Sequence, residues 1–235
     1  MTSSRVEVAV FAIAFTAFGL VALALVWSGD WAYAALANVS GGATRTILVP
    51  RVQDGVRVES PADLQLWLSW HHAWATYVIG LTMDPPIAFG TGPIFTADEY
   101  AHMADVRRVF RGAEVGAVLA LFVAAYRVAR ARRRGAALLL VRAGALIAAG
   151  IVAVIGLAAA VAFDPLFLLF HDVFFPQGNF LFDPATSNLL RLYPEWYWQG
   201  ITAGVGMSFI GLALLAALGT QKVLRRRSNT YTRAA

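Results

Sequence analysis

Apolar residues gather along this chain into four long blocks. They run from about Val8 to Trp27, Val106 to Tyr126, Ala143 to Phe163, and Gln199 to Gly219. A helix of roughly 20 apolar residues crosses a hydrocarbon core, so each block predicts a membrane span. Residues 28–105 and 164–196 are mixed in character. The first is too long for a bare connector. Within it, Thr44 to Val58 reads as a β-hairpin, with Gln53-Asp54-Gly55 as the turn between β-rich runs. Pro61-Ala62-Asp63 then opens an amphipathic helix from Leu64 to about Tyr77. The expected fold is an all-α integral membrane protein. It is a four-transmembrane-helix bundle with a small outward-facing cap that includes the β-hairpin. The whole chain, 1–235, reads as a single membrane domain, with spans at about 8–27, 106–126, 143–163 and 199–219. The outer cap is 28–105 and the outer loop 164–196. Ala32-Tyr33-Ala34 resembles a signal-peptide cleavage site. The apolar stretch before it exceeds a typical signal core and its positive end is only Arg5, so an uncleaved helix is expected.

Composition sharpens the class. Hydrophobic residues make up 59% and charged residues 14%, too apolar for an ordinary soluble domain. The absence of cysteine excludes disulfides, thiolate metal sites and thiol nucleophiles. The net charge of +5 is clustered beside apolar blocks, which sets topology and is no signal for a nucleic-acid partner. Arg127, Arg130, Arg132, Arg133 and Arg134 follow the second block, and Lys222, Arg225, Arg226 and Arg227 follow the fourth. Residues 164–196 contain only Arg191. The positive-inside bias then places both termini and loop 127–135 in the cytoplasm. The cap and the 164–196 loop face outward.

Two histidine segments are the candidates for chemistry. His102 and His171 lie 69 residues apart with two spans between them, so both return to the outer side. Thr96 and Glu99 form a capping-box pattern, and the helix they start should continue unbroken from Ala97 into the membrane. Asp98 and Asp105 stand at i−4 and i+3 from His102, on its side of the helix. A carboxylate beside an imidazole fixes its tautomer and raises its pKa. The alternative is a histidine solvated at the interface. Arg107, Arg108, Arg111 and Glu114 fall in the outer part of the second span, where charges must pair, face a wet cavity or reach the headgroups. Asp164-Pro165 should interrupt the third helix. Beyond it, His171-Asp172 is a polar pair in an apolar, aromatic interfacial segment. Those aromatics also fit a plain membrane-interface belt. His71-His72 point about 100° apart on a helix and read as cap or surface residues, not a chelate. No HExxH, GxSxG or phosphate-binding glycine loop occurs. No metal or cofactor is expected.

Two pieces of the chain resemble a known family. They are Phe95-Thr-Ala-Asp-Glu-Tyr-Ala-His102-Met-Ala-Asp105-Val106 and His171-Asp-Val-Phe-Phe-Pro-Gln-Gly-Asn179-Phe-Leu-Phe182-Asp183-Pro, the latter completed by Leu189-Leu-Arg-Leu-Tyr-Pro194. The pattern, with the span count and motif order, resembles the bacterial lipoprotein intramolecular transacylases. These are small four-span membrane proteins first catalogued as a domain of unknown function. The resemblance implies an acyltransferase of the bacterial cytoplasmic membrane, with its active site at the outer face. It would move an acyl chain from the S-diacylglyceryl glycerol to the α-amino group of a lipoprotein's N-terminal cysteine. The product would be an N-acyl lyso-lipoprotein. Diacylglyceryl-modified lipoproteins and membrane lipids would be its partners. His102 and His171 become the catalytic candidates, one as base and one as proton donor or oxyanion stabiliser, in either order. Asp105 and Asp172 would orient them. Arg107, Arg108, Glu114 and Asn179 are further orienting or substrate-binding candidates. The competing expectation is a non-catalytic scaffold or lipid-binding protein with interfacial histidines. A transporter fits poorly, because there is no repeat and no mid-membrane polar site.

Overall fold

A computed structural model describes residues 4–40, 46–50, 57–86 and 93–234. Eight helices and two strands follow in chain order. They are α1 (Arg5–Trp27), α2 (Asp30–Ser40), β1 (Thr46–Pro50), β2 (Arg57–Pro61), α3 (Leu64–Val78), α4 (Ala97–Arg133), α5 (Ala137–Val161), α6 (Phe163–Phe174), α7 (Asn188–Leu192) and α8 (Glu195–Ala234). Helices α1, α4, α5 and α8 are long and apolar enough to cross a membrane. The expected fold class is what is found. The chain forms two compact units, and α4 and α8 contribute residues to both.

The first unit comprises residues 1–24, 113–161 and 203–235. Its interior is built from small side chains: Ala117, Ala124, Ala131, Ala145, Ala148, Ala149, Ala213 and Ala217 are buried. Many of its large apolar residues point outward, among them Ile13, Leu119, Phe122, Val154, Leu157 and Leu215, while Phe11, Leu140 and Phe209 are buried. Water would reverse that order. In lipid the driving force between helices is close packing, and small residues let backbones approach. At Gly144 the approach is so close that a Cβ would strike the Phe11 ring. Phe209 fills another seam and would touch a Cβ at Gly19 at 2.6 Å. Glu7 is buried on α1 and pairs with Arg134, so an acidic group beside an apolar helix has its counter-charge.

The second unit comprises residues 25–112 and 162–202. Its core is aromatic. On α3, Trp67, Trp70, His71, Trp74 and Val78 recur at helical spacing and all are buried. Edge-to-face contacts tie them together, such as Trp67 with Trp70 at 5.3 Å and Trp74 with Phe95 at 5.2 Å between centroids. Asp63 caps α3 by accepting the Leu66 N–H at 2.9 Å. β1 and β2 pair antiparallel, from Thr46 opposite Pro61 to Pro50 opposite Arg57. The expected Gln53-Asp54-Gly55 turn lies outside the described residues. Buried Asn188 reads the hairpin like a strand: its Oδ1 accepts the Leu48 N–H at 2.8 Å and its amide donates to the Leu48 and Ile94 carbonyls, both at 2.8 Å.

Three local features differ from expectation. α2 and α7 carry no strong periodicity and were not anticipated. The break after the third long helix falls at Ala162, not at Asp164-Pro165. Pro165 sits in the first turn of α6, where a missing N–H leaves no helical bond unmade. The aromatic stretch that reads as an irregular interfacial segment is itself a helix, α6, with no buried residue.

The packing of the first unit makes a paired prediction. Gly144→Leu should lower the melting temperature in detergent, because overpacking costs about 1–3 kcal/mol. Gly150→Leu, on the same helix but facing open space, should not. Equal losses would contradict the close α1–α5 approach.

Candidate functional site

The site begins with a capping box that does more than cap. Thr96 Oγ1 accepts the Glu99 N–H at 3.2 Å, and Glu99 Oε2 accepts the Thr96 N–H at 2.6 Å. The Glu99 carboxylate is wholly buried. Its other oxygen accepts the Ser187 hydroxyl at 2.6 Å and the Leu189 N–H at 2.8 Å. Ser187 in turn caps α7 by accepting the Leu190 N–H at 3.1 Å. A buried charge without donors is costly. Here the donors are supplied by the second motif, so satisfying Glu99 docks one motif on the other.

One turn further along α4, His102 is 7% exposed. Its ring stacks toward that of His171 from α6, with centroids 6.1 Å apart and planes 20° from parallel. Phenylalanines enclose both. Phe175 touches His102 at 4.8 Å and His171 at 5.5 Å, so it lies against both rings. Phe182 adjoins His102 at 5.6 Å, and Phe167 and Phe180 adjoin His171 at 4.3 and 5.0 Å.

This dry surround decides the protonation state. Both rings lie outside the expected spans, His102 ahead of the second and His171 beyond the third. Burial first, and the neighbouring His171 second, hold His102 down at about 4, against a smaller opposite effect of the Asn179 side chain. Burial also lowers His171, opposed by its bond to the Phe167 carbonyl and by the Asp172 charge. His171 Nδ1 lies 2.8 Å from the Phe167 carbonyl oxygen. A carbonyl only accepts, so Nδ1 carries the proton and Nε2 is left with a free lone pair. His102 Nδ1 is buried with no hydrogen-bond partner.

The remaining candidates fall into four groups. Asp105, 8% exposed, accepts the Gln177 and Asn179 amides, each at 2.6 Å, and pairs with Arg108. It therefore grips the loop after α6 and makes no hydrogen bond to either histidine among the described residues. Asp172 is exposed and acts on His171 through charge. Arg107 is engaged elsewhere: it donates to the Thr82 carbonyl at 2.8 Å and lies over the Tyr77 ring at 4.5 Å. Glu114 belongs to the first unit. Gln177 was missed by sequence reading, as was the docking role of Ser187 and Asn188. Among the described residues no cluster could hold a metal ion. His71 is buried, bonded to the Ser28 carbonyl at 3.1 Å and to Tyr193 Oη at 3.3 Å. His72 is exposed and pairs with Asp30 at 2.9 Å.

Four spanning helices packed through small residues, with a histidine pair in an aromatic surround, define an integral membrane protein of the four-span class. The sequence profile of the lipoprotein intramolecular transacylase Lit matches residues 78–198, more than half of the chain and both histidines. The chain belongs to that family. No curated protein sequence matches it. Among solved structures, the membrane integral lipoprotein intramolecular transacylase Lit from Bacillus cereus superposes with a TM-score of 0.69 at 16% identity, over 98% of each chain. A form of that protein with a histidine-to-alanine mutation gives 0.68 at 15% identity, over 95% of this chain and 94% of that one. At such identity the likeness is one of fold.

The histidine environment yields a direct prediction. An ordinary histidine titrates near 6.5 and is mostly charged at pH 6. Histidine NMR in micelles should find His102 mostly neutral at that pH and His171 less charged than an ordinary imidazole. Charged rings there would show that the aromatic surround admits water.

Proposed function

We propose that this protein is a membrane acyltransferase acting on bacterial lipoproteins. It transfers an acyl chain from the glycerol of the S-diacylglyceryl group to the α-amino group of the N-terminal cysteine, leaving an N-acyl lyso-lipoprotein. The observation that carries this reading is the stacked His102–His171 pair, with His171 Nε2 left free. Membership of the family supports the class of reaction.

The chemistry needs little else. The amine nitrogen attacks the ester carbonyl, a C–N bond forms, and the C–O bond to glycerol breaks. One proton leaves the amine and one reaches the glycerol oxygen. His171, neutral with its Nε2 lone pair available, is the base that takes the first. His171 then passes that proton to the glycerol oxygen as the C–O bond breaks, and neutral His102 donates a hydrogen bond that stabilises the charge developing on oxygen. Because amine and ester belong to one substrate, proximity supplies much of the rate and no enzyme nucleophile is required. The phenylalanines keep bulk water from competing as a nucleophile.

The membrane setting follows from charge. The arginines after the second span and at the C-terminus put both termini in the cytoplasm and the histidines at the outer face of the cytoplasmic membrane. There the lipid-exposed residues of α6, including Leu169, Phe170 and Val173, lie where acyl chains are found.

The test is product analysis. In a host without this activity, expression should convert diacylglyceryl lipoproteins to the N-acyl lyso form, read by mass spectrometry of N-terminal peptides. His102→Ala and His171→Ala should each reduce the product by about 10²-fold or more while remaining folded. Activity should persist as pH falls through 6.5, because protonation of either ring is displaced below that value. Undiminished product from both variants would remove the assignment.

A further inference from the structure

Two large apolar side chains of the second unit project from a turn whose backbone is fully determined. α3 ends in a Schellman motif: the Leu81 N–H donates to the Thr76 carbonyl at 2.9 Å and the Gly80 N–H to the Tyr77 carbonyl at 3.1 Å. Gly80 makes this possible with φ of +77°. An apolar residue in the place of Leu81 normally folds back onto the last turn of its helix. Leu81 does not: it is 74% exposed, and Met83 is 80% exposed. The turn is pinned nonetheless. Arg107 donates to the Thr82 carbonyl at 2.8 Å, and reaches the Met83 carbonyl at 3.5 Å and the Met83 sulfur at 3.8 Å. Its guanidinium covers the Tyr77 ring. Arg111, one turn further along α4, donates to the Ile79 carbonyl at 3.5 Å. A single exposed apolar residue on a loop is ordinary. Here a fixed turn presents two of them.

Depth decides what these side chains meet. Arg107 and Arg111 stand in the first two turns of the apolar block that begins at Val106. A charge at that level needs a partner other than bulk water. The Ile79, Thr82 and Met83 carbonyls supply one, just past the C-terminal end of α3, where a cation is favoured. An element bonded to α4 at residues 107 and 111 therefore lies at the boundary between headgroups and acyl chains. We infer that residues 79–83 form an interfacial anchor: Leu81 and Met83 enter the acyl region of the cap-side leaflet, and Arg107 and Arg111 hold them there. The partner is bulk phospholipid. Asp84, also exposed, bounds the inserted segment, because a carboxylate stays in the headgroup layer. The anchor gives the cap a lipid contact separate from α6. It is independent of the acyl-transfer reading.

The chain contains no cysteine, so a single cysteine can carry a dye without further substitution. Leu81→Cys and Met83→Cys are labelled with a nitrobenzoxadiazole dye in the full-length protein and placed in phospholipid nanodiscs, which leave both faces open to solvent. Two controls bracket them: Phe122→Cys on the second span, exposed where lipid is expected, and His72→Cys, exposed on the polar side of α3. A melting curve confirms that each variant is folded, and the two test positions are independent of one another. The dye at Leu81 and at Met83 should emit to the blue of the His72 control. It should lose emission to nitroxide-labelled phospholipid, as at Phe122, and aqueous iodide should quench it several-fold less than at His72. A nitroxide near the glycerol should quench it more than one at the chain end, the reverse of Phe122. Adding Arg107→Ala should raise iodide quenching at Met83, because the bonds to residues 82 and 83 are lost. Iodide quenching equal to that at His72 would show a water-facing turn and overturn the anchor. Quenching by neither reagent would show a turn covered by protein, a second copy included, and would overturn it equally. An unchanged Met83 signal with Arg107→Ala would overturn the role given to that arginine.

Discussion

A carboxylate taken out of water needs donors, and Glu99 is completely buried. One oxygen serves its own helix start and the other is met by Ser187 and the Leu189 amide. These donors lie about 90 residues away in the chain. Leaving such a charge unmet costs several kcal/mol, so the α6–α7 connection cannot drift from α4 without exposing the penalty. Everything at the histidine site depends on this joint. It fixes the start of α4, hence the height of His102, and it fixes the far end of the loop that carries Phe175, Asn179 and Phe182.

The two units solve different packing problems. In the first, lipid removes most of the reason to hide large apolar side chains, so alanine and glycine line the seams with a few rings such as Phe11 and Phe209, and many leucines, isoleucines and valines face out. In the second, a conventional core returns, made of tryptophan and tyrosine. Rings of that size place much surface in few residues and hold geometry through edge-to-face contacts. In this unit two imidazoles stand about 6 Å apart.

The electrostatics follow from that rigidity. Phenylalanines around His102 and His171 disfavour charge on either ring, and His171 further disfavours it on His102. A neutral pair is idle unless its tautomers differ, because a base needs a bare nitrogen and a donor needs N–H. The Phe167 carbonyl sets one ring. Asp105 holds the Gln177 and Asn179 amides and bonds neither ring.

The four spans, the amphipathic α3, the hairpin strands and the unbroken run of α4 from Ala97 were legible in the sequence, because each follows from local periodicity and caps. Both histidines and Asp105 stand out in the sequence as candidates, since a polar residue at the end of an apolar block is conspicuous. The break at Ala162 and the helices α2 and α7 were not, because short helices are decided by their neighbours more than by propensity. The partners of the polar residues were also hidden. Glu99 looked like a capping residue, Asp105 like a partner for His102, and Arg107 like a substrate group. The tertiary structure gives Glu99 to Ser187, Asp105 to Gln177 and Asn179, and Arg107 to Tyr77 and the Thr82 carbonyl. Sequence alone settles where the chain meets lipid, because burial in a membrane is a property of segments. Hydrogen-bond partnership belongs to pairs, and only folding brings residues 99 and 187, or 105 and 179, within reach.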